Sequence, residues 1–246
     1  MASYMFSRHP KITRVAITAA VLAALGTASY VLLTSRLPDS ICVTAKSAAP
    51  APARAVSKPA APQEAPSVPD VNLAGLDWSA YRGYELPVSP QAGPRETAGG
   101  LATGYADSPL GALLAAVNIA ARTSWQFGPQ VFQPTISAQV TGQFAGQMLS
   151  SDQLAYTQQA QAQGTQESAR QVAYSYEGYT PSDATVDIVT GATDSDGAPV
   201  YVVTQIQAEW LDGDWKIIAP PGGDWANSAT QVTSTAGYTT FPGQGG

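Results

Sequence analysis

Histidine and cysteine are nearly missing from this 246-residue chain, which has one of each, His9 and Cys42. Beyond Cys42 there is therefore no imidazole base, no thiol nucleophile, no His/Cys metal set and no internal disulfide framework. Basic side chains are scarce as well. From Asp70 onward sixteen acidic residues stand against five basic ones, a formal charge of −11. A duplex-binding surface must replace phosphate counterions with positive charge, so this balance argues against direct nucleic-acid binding. The chain also lacks a P-loop, a GxGxxG turn, an HExxH helix and a serine elbow. These absences predict a non-enzymatic domain without a cofactor. Catalysis would have to rest on carboxylates alone, as in glycosidases, with Glu177 and Asp183 or Asp187 and Glu209 as the candidate pairs. No metal site is expected. Asp194 and Asp196 bracket a turn ending in Gly197, but they fall short of the six to eight oxygens calcium needs, and Asx-turn capping accounts for them.

What the chain does have, first of all, is an uncharged run. Val15 to Ser35 carries no formal charge and is flanked by Arg8, Lys11 and Arg14 before it and Arg36 after it. About 20 apolar residues of helix cross a bilayer core, and the basic flank sets orientation. The run predicts a cytoplasmic tail at 1–14, a transmembrane helix at 15–35 and an exported remainder, a single-pass type II arrangement in the cell membrane. A cleaved signal peptide with a cut near Ala45 or Ala48 is the competing reading, and a lipid-modified Cys42 a third. Residues 36–69 form a linker whose later part, VTAKSAAPAPARAVSKPAAPQEAPSVP, has the composition of an extended Pro/Ala spacer.

The compact part is placed at residues 70–225. Leu76 to Gly104 reads as an ordered lead-in with a short strand around Tyr84 to Val88. Trp78, Tyr81 and Tyr84 recur at a spacing of three, which predicts one side of a short turn or helix. Ser108 as cap and Pro109 at the first helical position start a helix running to about Phe127, with Leu110, Leu113, Leu114, Val117, Ala121 and Trp125 on its apolar face. Further helices are expected at Thr135 to Leu149 and Ser151 to Gln163. Alternation then predicts strands at Arg170–Glu177, Ala184–Thr190, Gly197–Trp210 and Trp215–Ile218, with Asp194-Ser195-Asp196-Gly197 and Asp212-Gly213-Asp214 as hairpin turns. Helices followed by antiparallel strands give an α+β class in which a curved sheet wraps the helices. Residues 226–246 read as a loose tail.

Trp78, Tyr84, Leu86, Pro87, Ser108, Pro109, Gly111, Ala112 and Leu113, with Trp210, Gly213, Asp214, Trp215 and Lys216 of the terminal hairpin, carry a resemblance. The chain resembles an actinobacterial family of membrane-anchored proteins found with conjugative elements and some phages. The resemblance implies a nuclear-transport-factor-2-like cone and an architecture similar to the single-pass scaffold subunits of conjugation channels and type IV secretion. The expected function is thus a non-catalytic, membrane-anchored scaffold of an envelope complex serving conjugative transfer, with other envelope or channel proteins and a second copy of itself as partners. The candidate protein contacts are Trp78, Tyr81, Tyr84, Trp210, Asp212, Asp214 and Trp215; core and turn roles are the alternative for the same residues. The alternative function is an exported binding module for a small ligand or cell-wall fragment.

Overall fold

Ser108 and Pro109 begin the central helix as their chemistry requires. The Ser108 hydroxyl accepts the Gly111 N–H at 3.1 Å, and Pro109 occupies the first turn, where no donor is needed. The computed structural model describes residues 67–159, 169–194 and 196–243. Its first helix, α1 (Pro109–Arg122), is buried at every position from Gly111 to Arg122, so it lies inside the domain rather than on its surface. The large sheet covers one side through its central strands, and an N-terminal hairpin and the second helix cover others. Small residues make this possible. Gly111 lies so close to the Ala106 carbonyl that a Cβ would overlap it.

The helix ends earlier than its apolar pattern suggests. Thr123 caps it, Ser124 turns the chain, and Trp125–Phe127 form a separate 3-10 turn. The next expected helix, Thr135 to Leu149, is divided in two. Helix α2 spans Pro129–Gln139 and α3 spans Ala145–Gln159, with Val140–Thr141 extended between them. Those β-branched residues pair in parallel with Ile217 and Ile218, and Gly142, at φ 84°, turns the chain back into a helix.

The lead-in is a hairpin, β1 (Asp77–Tyr81) against β2 (Tyr84–Val88), closed by Arg82 and Gly83 at positive φ. Trp78, Tyr81 and Tyr84 therefore sit on strands and not along one turn of helix. In the main sheet, β3 (Val140–Thr141), β4 (Arg170–Tyr179), β5 (Asp183–Thr193), β6 (Pro199–Leu211), β7 (Asp214–Ile218), β8 (Ala229–Val232) and β9 (Thr239–Thr240) are the strands. Their order is β3-β7-β6-β5-β4-β9, and β8 also pairs with β6. The β3–β7 contact is parallel and the other ladders antiparallel. Toward the C-terminus the described residues form a 3-10 turn at Trp225–Ser228, β8 and β9, and Trp225 and Phe241 are buried.

The cone expected from the nuclear-transport-factor-2 resemblance is not the fold. This sheet is mixed and open, ending in β3 on one side and β9 on the other. Its helix-facing side is filled by Leu113, Leu114, Ile188, Ile206 and Trp215. The opposite side carries apolar patches of its own, with Val189 and Val203 under Tyr201, Val232 and Tyr238. Two covered faces leave no reason to curl into a closed mouth. Among the described residues, moreover, no helix is long and apolar enough to cross a membrane. The run at 15–35 lies outside the described residues, as do the tail at 1–14 and the linker up to residue 66. The single-pass type II topology, the membrane as a partner and the extracellular placement built on them find no support in the structure.

Candidate functional site

Strand β4 has an interrupted outer edge. Its inner side is paired with β5 from Arg170 to Tyr179. On the outer side β9 pairs only with Ala173 and Tyr174. Ser67 pairs with Tyr179 alone: the Ser67 N–H donates to the Tyr179 carbonyl at 3.0 Å and the Tyr179 N–H to the Ser67 carbonyl at 2.8 Å. Sequence explains why neither partner continues. Pro69, two residues after Ser67, has no N–H to extend a ladder, and Gly237, at φ 91°, turns the chain just before β9.

The gap between these two partners is a cleft of about 410 Å³. Ser175, Tyr176 and Glu177 of β4 line it, with Val68 to Val71 on one side and Gly237 and Thr239 on another. Among the described residues its charged lining is Asp70 and Glu177, with no basic side chain. Val68, 72% exposed, supplies an apolar lip. Burial, and after it the nearby Asp70 charge, pushes the Tyr174 hydroxyl above its ordinary pKa. Tyr176 sends its hydroxyl the other way, donating to the Pro109 carbonyl. Glu177 falls at a bulge, where the β4–β5 register shifts between Tyr176 and Gly178.

Behind Glu177 stands Asp187 on β5. Burial raises the Asp187 carboxyl above the usual range; the Glu177 charge and a hydrogen bond between the two raise it further, against a hydrogen bond from Gln205. The two carboxylate pairs expected from sequence are thus exchanged. Glu177 meets Asp187, while Asp183 lies opposite Glu209 in the β5–β6 register. The signal for the cleft was present in Pro69, which cannot extend a ladder, and in Gly178, where the alternation of Val172, Tyr174 and Tyr176 gives way and the register shifts.

The residues expected to form a protein contact are held in two separate places by internal partners. On the N-terminal hairpin, the Trp78 indole N–H donates to the Pro242 carbonyl at 2.8 Å and its ring meets Phe241 edge-on. Tyr81 lies over the Arg122 guanidinium, 4.3 Å from ring centre to Cζ, and Tyr84 donates to Gln126 at 2.8 Å. On the β6–β7 hairpin, Trp215 is fully buried and donates to the Ala106 carbonyl, with Trp210 packed edge-on against it. Asp214 accepts the Gly104 and Tyr105 N–H groups at 2.8 and 3.0 Å, and Asp212 pairs with Lys216.

A family profile described as a domain of unknown function (DUF8175) matches residues 43–240. Neither the curated proteins nor the solved structures contain a match. The resemblance to conjugation-associated scaffolds is corrected by this result, since a match to a family of unknown function supports no link to membranes, secretion or conjugative transfer. The scaffold function and its envelope and channel partners go with it.

Proposed function

The chain belongs to the DUF8175 family, and on that footing we propose that its α+β domain is a non-catalytic binding module that takes a small cationic ligand into the β4 edge cleft. The observation that carries this reading is the lining, in which Asp70 and Glu177 stand without a basic neighbour among the described residues in a cleft of about 410 Å³. Small-molecule sites commonly span roughly 300–1,000 Å³. Carboxylates presented this way select an amino or guanidino group, because charge-assisted hydrogen bonds are about twice as strong as neutral ones. The domain's charge of −11 favours the same class of ligand at long range.

We read these carboxylates as binding rather than catalytic groups: burial and the Glu177 charge push Asp187 toward its neutral form, and Glu177 is the member of the pair that lines the cleft. Titration of the full chain with lysine amide, followed by the amide resonances of Ser175 and Glu177, tests the proposal. Saturable shifts are expected, and the double variant Asp70→Asn/Glu177→Gln should weaken binding at least tenfold. Equal affinity in that variant, or no saturable shift in the native protein, refutes it.

A further inference from the structure

The cleft is also a break in a sheet edge, and this says what shape of ligand it accepts. Between Tyr174, paired with Thr239, and Tyr179, paired with Ser67, no strand lies against the outer side of Ser175 to Gly178 among the described residues. Four residues of strand cover about 13 Å, at roughly 3.3 Å each. Both flanking partners run antiparallel to β4, so an inserted strand of the same direction would continue their line.

Resting on the cationic-ligand reading above, we infer that the natural ligand is an extended peptide segment with a lysine or arginine side chain, added as a short strand to the open stretch of β4. Main-chain hydrogen bonds to a sheet edge give such complexes their affinity, and alternate side chains give them selectivity. Here selectivity comes from charge. Asp70 and Glu177 line the gap and no basic residue among the described ones opposes them, so one side chain of the added segment meets carboxylate, while the exposed Val68 meets an apolar neighbour.

The test uses the full chain and three probes: an acetylated, amidated tetrapeptide of valine, lysine, valine and threonine; the same peptide with alternate backbone amides N-methylated; and lysine amide alone. Affinities come from isothermal titration. The peptide is expected to bind at least tenfold more tightly than lysine amide, to lose at least tenfold on N-methylation, and to lose as much against Glu177→Lys protein. If lysine amide and both peptides bind alike, strand addition is overturned while the cationic site survives. If a lysine-to-norleucine peptide binds as well as the lysine peptide, and N-methylation still abolishes binding, the edge is a docking strand but the charge reading falls. If none of the probes binds, both readings fall, and the bulge with its glutamate serves to keep other chains off the edge.

Discussion

At pH 7 the side chain of Asp152 holds its proton, because burial raises its pKa to about 8 despite a hydrogen bond from the Trp125 backbone, and the Asp224 charge adds to the rise. It is 5% exposed. The unfolded chain releases this proton near pH 3.8, so between those values the native state binds more protons and stability falls as pH rises. The slope cannot exceed about 1.4 kcal/mol per pH unit, and it vanishes below pH 3.8 and above about pH 8. Urea unfolding across this window should show the decline, and Asp152→Asn should flatten it and be the more stable protein at pH 8. Arg122 presents the opposite case of a buried charge. It is 2% exposed, and burial lowers its pKa, opposed by Tyr105 and Tyr81. Asn118 holds it, accepting from Arg122 through its carbonyl at 3.1 Å and through Oδ1 at 2.8 Å, while the Asn118 amide donates to Pro87 and Leu114. Asn118→Ala strips the guanidinium of an acceptor and should cost about 3 kcal/mol, whereas Arg122→Met removes the charge with its need for one and should cost less. Denaturant midpoints of the two variants decide the order.

Strands β4 and β6 each share one edge between two short partners, β6 with β7 and β8 and β4 with β9 and Ser67. The β9 partner depends on a distant anchor, the Trp78 indole donating to Pro242. Trp78→Phe keeps a ring against Phe241 and loses that bond, so the expected cost is about 1 kcal/mol, together with faster hydrogen exchange at Tyr174 and Phe241 and little change in β5. Element by element, the long strands were legible because alternation and turn residues coincide: Asp212 and Gly213 both take positive φ in the predicted hairpin. The start of α1 was legible from its cap. The break at Val140–Thr141 was not, because a two-residue parallel pairing is decided by Ile217 and Ile218, more than seventy residues away. Strands β8 and β9 hide for a similar reason. They are short, rich in threonine and small residues, and exist through the edges they meet. The placement of Trp78, Tyr81 and Tyr84 was hidden because a spacing of three does not distinguish a hairpin from a turn of helix, and nothing in the spacing shows that the Trp215 indole N–H donates to Ala106 inside the core.

Over the molecule as a whole, acidity governs how ligands arrive. With sixteen acidic and five basic side chains from Asp70 onward, the domain attracts cations over distances that salt shortens to about 10 Å at 0.1 M and 3 Å at 1 M. Lysine-peptide affinity should therefore fall severalfold between those concentrations, while folding stability, resting on an apolar core, changes little; paired titration and melting experiments separate the two. The cleft itself was less legible than the charge, since it is made by what two neighbours fail to cover. Those neighbours also carry a mechanical meaning. Ser67 and Thr239–Thr240 both grip the same outer edge of β4. Tension applied through these two segments would load two backbone bonds at Ser67 and a two-residue ladder at β9 before it reached the eleven-residue register joining β5 to β6. The cleft is thus the seam along which a stretched domain would open first.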